Sequence, residues 1–485
     1  MHLSTSKISL ASSYSLYLRA LQQISTFQQP QRLTNWGVLA SVLSLLALLP
    51  SSVSAQQNNT ALSRLTTEVL IGRAVSLSNQ SYPDIENAIQ RFRNNDIQGA
   101  LLFLEKASKK HPNLPPVEVT MAKMQTLKRN SKAVRVLLES AAVKYPSDPE
   151  AFLILADQAF AGGRTTEASA LFEKSDAMNQ QFDKNAKRKR SFVIRILAGR
   201  AAVTERRQQW QQAAKLLKEW VELDPENTTA HQRYGIVLFR LKKTSEAYEQ
   251  FIKSREGNSK AQNPDILMGK LYAQKGDKIQ ARKAYEKAYA EEKSNLITTQ
   301  AYAEWLIQDE KLNEAENVIL EVLKQDPESI PSLTISSIIS LMNGKSDQAE
   351  KTLQKILTFA PSNATAINLL AQLLIERNDQ SAQERALSYA QNNARQFPNS
   401  SQSNITLAWV YYKQGHLQQA QSALNAGLQR GGLTMDSTYL VARLMAEQGR
   451  NEPAIQALTQ VVDKNGLFVH RKEAQELLTK LQAEK

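Results

Sequence analysis

The chain of 485 residues contains no cysteine. That removes disulfides, thiolate zinc sites, iron–sulfur clusters and thiol nucleophiles together. Histidine is almost as scarce: His2, His111, His231, His416 and His470 complete the set, none forms a metal pair at helical spacing, and no HExxH occurs. Neither a Walker loop, a GxGxxG nor a nucleophile-elbow GxSxG is present. The sequence therefore implies no catalytic residue, no cofactor and no metal. Long apolar runs are also lacking. The run "GVLASVLSLLALL" (37–49) holds 13 residues, against the ~20 needed to span a bilayer.

What is present is a composition of 42% hydrophobic and 22% charged residues, enough for a large core. By length alone it would fill about three ordinary domains of roughly 150 residues. The apolar run follows a region carrying Lys7, Arg19 and Arg32 and no acidic residue, and leads into Pro50 and "SSVSA". Basic region, short apolar core and small residues are the order of a secretory signal, with Val53 and Ala55 placed for cleavage before Gln56. Residues 1–55 are thus expected to be a signal peptide, the alternative being an uncleaved membrane anchor. The chain carries a net charge of +13, which favours acidic partners such as anionic polymers, lipid headgroups or acidic protein faces. Export makes nucleic acid an unlikely partner and the periplasm or cell envelope the expected location.

A local pattern recurs along the rest of the chain. In "YYKQGHLQQAQSAL" (411–424), Gly415 precedes Ala420 by five residues. The same spacing joins Gly163 to Ala168, Gly276 to Ala281, Gly344 to Ala349 and Gly449 to Ala454. The period is 34 residues. Starts at Ser81, Pro115, Pro149, Ile194, Thr228, Gln262, Leu296, Ile330, Ala364, Ser401 and Met435 define eleven units. Position eight is small in every unit: Ala in eight of them, Gly at Gly235 and Gly269, and Ser at Ser337. Position twenty is Ala in ten units, the exception being Val134. Apolar residues at i, i+3, i+4 and i+7 place two amphipathic helices in each unit. The small residues let these helices approach closely, glycine at position fifteen admits a left-handed turn, and proline near position thirty-two stops the second helix.

This pattern resembles the tetratricopeptide repeat (TPR), specifically an exported bacterial type, over residues 81 to about 465. The resemblance implies an all-α fold, a right-handed superhelix (solenoid) of about eleven helix–turn–helix units. The expected layout is a capping helix at 56–80, units one to three at 81–182, a basic linker at 183–193, units four to eleven at 194–468, and a closing helix at 469–485. The family tryptophan at position four is missing. The period is broken by "NQQFDKNAKRK" (179–189) and, inside the ninth unit, by "RNDQSAQER" (377–385). The run "KNAKRKR" (184–190) reads as a solvated hinge loop. His416 falls on an exposed turn, and Asn227 and Asn363 suit helix caps as well as glycosylation.

In the family the concave groove is lined by positions two, five, nine, twelve and thirteen of the first helices. The candidate partner-binding residues there are Phe160, Arg206, Phe239, Arg240, Lys270, Trp409, Tyr412 and Lys413, with Arg443 also at position nine. Aromatic surfaces beside cations suit extended peptides and sugar rings. The family's carboxylate clamp of Lys, Asn and Arg is not reproduced: the corresponding residues include Ile266, Leu267 and Lys270. The expected function is a non-enzymatic scaffold that binds a protein or peptide partner in the cell envelope. The alternative is a periplasmic scaffold serving exopolysaccharide export or secretion.

Overall fold

The computed structural model describes residues 65–72, 81–128, 130–256, 258 and 261–484, all within one compact unit (52–485). The expected export signal at 1–55 lies outside the described residues, as does the segment 56–80 apart from 65–72. Among the described residues every regular element is a helix, 24 in all, with no strand.

Helix α1 (Thr67–Ile71) precedes the repeats. The first three units pair α2 (Pro83–Arg93) with α3 (Ile97–Lys110), α4 (Val117–Leu127) with α5 (Ser131–Lys144), and α6 (Glu150–Ala161) with α7 (Thr165–Gln181). Units four to six pair α8 (Ala186–Arg206) with α9 (Trp210–Leu223), α10 (Thr228–Arg240) with α11 (Thr244–Glu256), and α12 (Pro264–Lys275) with α13 (Lys278–Glu291). Then come α14 (Leu296–Gln308) with α15 (Leu312–Gln325), α16 (Ile330–Met342) with α17 (Ser346–Phe359), and α18 (Ala364–Ile375) with α19 (Gln380–Gln396). The last two units pair α20 (Ser401–Lys413) with α21 (Leu417–Arg430) and α22 (Met435–Glu447) with α23 (Asn451–Thr459), before α24 (Arg471–Ala483). Each first helix packs on its own second helix, and the second helices of units one to nine pack on the next first helix. The fold is an all-α TPR solenoid.

The small positions form the seam of every pair. All eleven position-eight residues and all eleven position-twenty residues are buried. Both glycines at position eight face an aromatic ring of the second helix. A methyl group on Gly235 would lie 2.4 Å from the Phe251 ring, and one on Gly269 would lie 2.9 Å from that of Tyr285. Where position eight is alanine, the second helix more often supplies an aliphatic side chain such as Leu104 or Leu217. Pro453 sits in the first turn of α23, where its missing N–H has no helical partner to lose. Asn227 and Asn363 cap α10 and α18, accepting from Ala230 N and Ala366 N.

Both breaks in the period become helix rather than loop. In the ninth unit Asp379 accepts from Ser381 N and Ala382 N, starting α19 early and extending it to 17 residues. The other break corrects the sequence reading. Residues 183–193 are not a solvated basic linker: α8 begins at Ala186 and runs for 21 residues. Arg188, inside the basic run, is buried at 4% exposure. Its Nη2 donates to Asp148 Oδ1 and Oδ2 at 3.1 and 2.8 Å and to Glu150 Oε2 at 2.7 Å. Its guanidinium lies 5.2 and 5.1 Å from the ring centroids of Phe182 and Phe192. Lys123 completes the cluster from α4 by pairing with Glu150. Periodicity marks a cation run as solvent-facing, yet a single guanidinium offered two carboxylates and two rings is better placed inside.

Candidate binding face of the first helices

The side chains singled out by position lie in three local groups, each joining first helices of consecutive units. In the first, Arg206 near the end of α8 lies with its guanidinium carbon 3.7 Å from the Phe160 ring centroid. The same side chain donates to the Phe160 carbonyl at 2.9 Å. One arginine therefore covers both the ring and the end of α6, and burial lowers the pKa of its guanidinium.

The second group is Phe239, Arg240 and Lys270. Phe239 is buried and meets Tyr272 edge to face at 5.1 Å. Arg240 is exposed and reaches Gln274 Oε1 at 3.4 Å, a weak contact. Lys270 is half-buried and donates to Gln262 Oε1 at 3.1 Å. Burial pushes its pKa down against the opposing charge of Glu304, whose own carboxyl is pushed up by burial. Glu304 is nonetheless exposed to solvent.

The third group is the most connected. Glu376, just past the end of α18, accepts from Trp409 Nε1 at 3.1 Å and pairs with Lys413 and Arg443, each at 3.2 Å. Arg443 lies 4.3 Å and Lys413 5.6 Å from the Trp409 ring centroid, and Tyr412 stacks on the indole at 6.0 Å. A single carboxylate thus draws residues from α20 and α22 onto one indole. Glu376 was not among the residues singled out in the sequence. It occupies position thirteen, the same position that yielded Arg206, Arg240 and Lys413, with the opposite sign.

Position alone did not separate surface from core. Trp409 is 1% exposed and Phe239 is 7% exposed, so neither ring has an open face. Arg240 and Lys413 do remain exposed, and Tyr412, Phe160, Arg206 and Lys270 are half-buried. His416 is exposed and immediately precedes α21, touching Tyr411 edge-on at 6.2 Å. Among the described residues no group of three His, Asp or Glu side chains is placed to hold a metal ion. The arrangement provides a row of cations and amides on first helices, backed by rings that are already packed.

Family models described as tetratricopeptide repeat match residues 266–295 and 405–466. The TPR repeat-containing protein PA4667 of Pseudomonas aeruginosa is 27% identical over 208 residues, 41% of this chain and 34% of its own. The chain therefore spans about a third of the length of that curated relative. Among solved structures, yeast Tom70 aligns with 14% identity and a TM-score of 0.39, over 83% of this chain and 95% of its own. The thermophilic TPR protein TTC0263 of Thermus thermophilus aligns with 16% identity and a TM-score of 0.31, over 37% of this chain and 93% of its own.

Proposed function

This chain belongs to the tetratricopeptide-repeat proteins, and on that premise we propose that it is a non-enzymatic scaffold of the cell envelope. It would hold a protein or peptide partner on the face of its first helices. The observation that carries this reading is the third group, where Glu376, Trp409, Lys413 and Arg443 come from three consecutive units. A surface built from successive repeats suits a ligand that runs along them, as an extended peptide does. The basic excess of the chain favours a partner with acidic side chains.

The alternative, a scaffold for export of an anionic polysaccharide, relied on aromatic rings free to stack on sugars. Phe239 and Trp409 are buried, so that support is withdrawn while the charge argument remains. Location in the periplasm or envelope rests on the basic, apolar and small-residue order of residues 1–55.

The test is affinity capture from envelope extract with the chain starting at Gln56. The expected result is a stable protein partner, retained after polysaccharide-degrading treatment and lost in the Arg240→Glu, Lys413→Glu double variant. Capture that depends on polysaccharide favours the export reading. Capture unaffected by the double variant places the binding surface elsewhere.

A further inference from the structure

The segment between α23 and α24, residues 461–469, reaches the opposite repeats. Asn465 Nδ2 donates to the carbonyl of Ala273 at 3.1 Å, across 192 positions of chain. Leu467 is half-buried and packs against two cores, that of units eight to eleven and that of units six to eight. Ala273 lies near the end of α12. Met342, which ends α16, packs against the same two cores as Leu467. Glu310, in the turn after α14, acts electrostatically on Arg471 at the start of α24. The segment thus meets the C-terminal end of α12 by a hydrogen bond and the core of units six to eight through Leu467.

Its two sides are held very differently. On its own side Val461, Val462 and Phe468 are buried. Arg471 donates to the carbonyls of Val462, Lys464 and Gly466 and lies 5.4 Å from the Phe468 ring centroid. His470 gives both its backbone N–H and Nδ1 to Asp436 Oδ1, at 3.1 and 2.8 Å. Among the described residues, the facing repeats are met by a solvent-exposed hydrogen bond and a half-buried leucine. A segment anchored firmly at its base and seated lightly at its tip can be lifted by a competitor that makes the same two contacts.

We propose that the end of α12 and the adjoining core of units six to eight form a peptide-docking surface, and that residues 461–469 occupy it as a tethered substitute for the partner. The occupant is a short non-helical peptide carrying a carboxamide two residues before a leucine, with a bend between them. The amide serves the Ala273 carbonyl and the leucine fills the place of Leu467. This inference rests on the peptide-scaffold reading above and specifies where on the first helices a peptide competes.

The test uses the full purified chain and a fluorescent peptide of residues 461–470, VVDKNGLFVH, followed by anisotropy. With the tethered segment weakened by Leu467→Asp, or more mildly by Asn465→Ala at an exposed position, the peptide is expected to bind at least threefold more tightly than to the unaltered chain. The same peptide carrying Asp in place of its leucine should not bind. A gain in either variant supports the proposal. Affinities within threefold of the unaltered chain in both variants, or no saturable binding, overturn it. Because no envelope partner enters the measurement, its failure leaves the capture experiment standing, and failure of the capture leaves the peptide result standing.

Discussion

Arg188 and Asp148, 40 positions apart, share two hydrogen bonds in the interior between the third and fourth units. They fasten α8 to the start of α6, with Glu150 as the third member. Removing the guanidinium would leave two buried carboxylates facing one lysine. Arg188→Met is therefore expected to cost about 3–5 kcal/mol, read as a fall in the urea midpoint at neutral pH. Lys187→Ala, one residue earlier and exposed, should stay within about 0.5 kcal/mol of the unaltered chain. Equal effects would mean that the basic run acts as a unit.

The same cluster sets an acid dependence. Burial raises the pKa of Glu150, but Lys123 and Arg188 outweigh it and bring the carboxyl down to about 2 from its ordinary 4.5. A folded pKa below the unfolded one contributes stability above pH 4.5 that is lost as pH falls toward 2. Asp148 carries the opposite sign, because its burial outweighs the pull of Arg188 and raises its pKa. Glu150→Gln should consequently flatten the decline in stability between pH 4.5 and 2 in denaturant titrations. An unchanged slope would show that other carboxylates govern the acid limb.

At position eight, glycine to alanine should reverse its usual sign. In an exposed helix that change gains about 0.5–1 kcal/mol. Gly235→Ala instead drives a methyl group to 2.4 Å from the Phe251 ring, so a loss of about 1–3 kcal/mol is expected by thermal melting. Gly235→Ala combined with Phe251→Leu should recover part of that loss, since the shorter side chain restores the alanine–leucine pairing of other units.

Among the described residues the turn at position fifteen is left-handed in every unit but the ninth, whether or not glycine occupies it. Asn95, Gln208, Lys242 and Glu310 have φ of 62, 57, 63 and 62°, beside 78° at Gly415. Left-handed backbone costs a residue with a Cβ roughly 1–2 kcal/mol, of which glycine's greater chain entropy returns a part. Lys242→Gly and Gln208→Gly should each raise stability by about 0.5–1 kcal/mol. Gly415→Ala should lower it by a similar amount, although nothing lies within 4 Å of the added methyl group. No gain at Lys242 would mean its side-chain contacts outweigh the backbone strain.

Trp409 and Lys413 stand one turn apart and should separate core from surface. Trp409→Ala is expected to cost about 3–5 kcal/mol of stability, because the indole is 1% exposed. Lys413→Glu should change stability by no more than about 1 kcal/mol while weakening partner capture. A binding defect in a fully stable Trp409→Ala would return the indole to the surface.

The repeat and its seam could be read from the sequence because they are local: positions eight, fifteen and twenty recur within one helix pair, and each needs only its neighbour to be understood. Burial of a side chain facing the next unit could not be read this way. Trp409 is enclosed because Glu376 precedes it by 33 positions and Arg443 follows it by 34. Arg188 sat in a cation run whose carboxylates lie 38 and 40 positions earlier. The contact between Asn465 and Ala273 depends on the rotation accumulated over many stacked units, which no window of sequence contains.

That last contact also divides the mechanics of the chain. A stack whose units touch only their neighbours yields to a pull as a spring does, each coil opening a little. Between Ala273 and Asn465 the stack is instead clasped into a hoop. Tension there must first undo the clasp, and only then can those coils share the extension that the first units take up from the start.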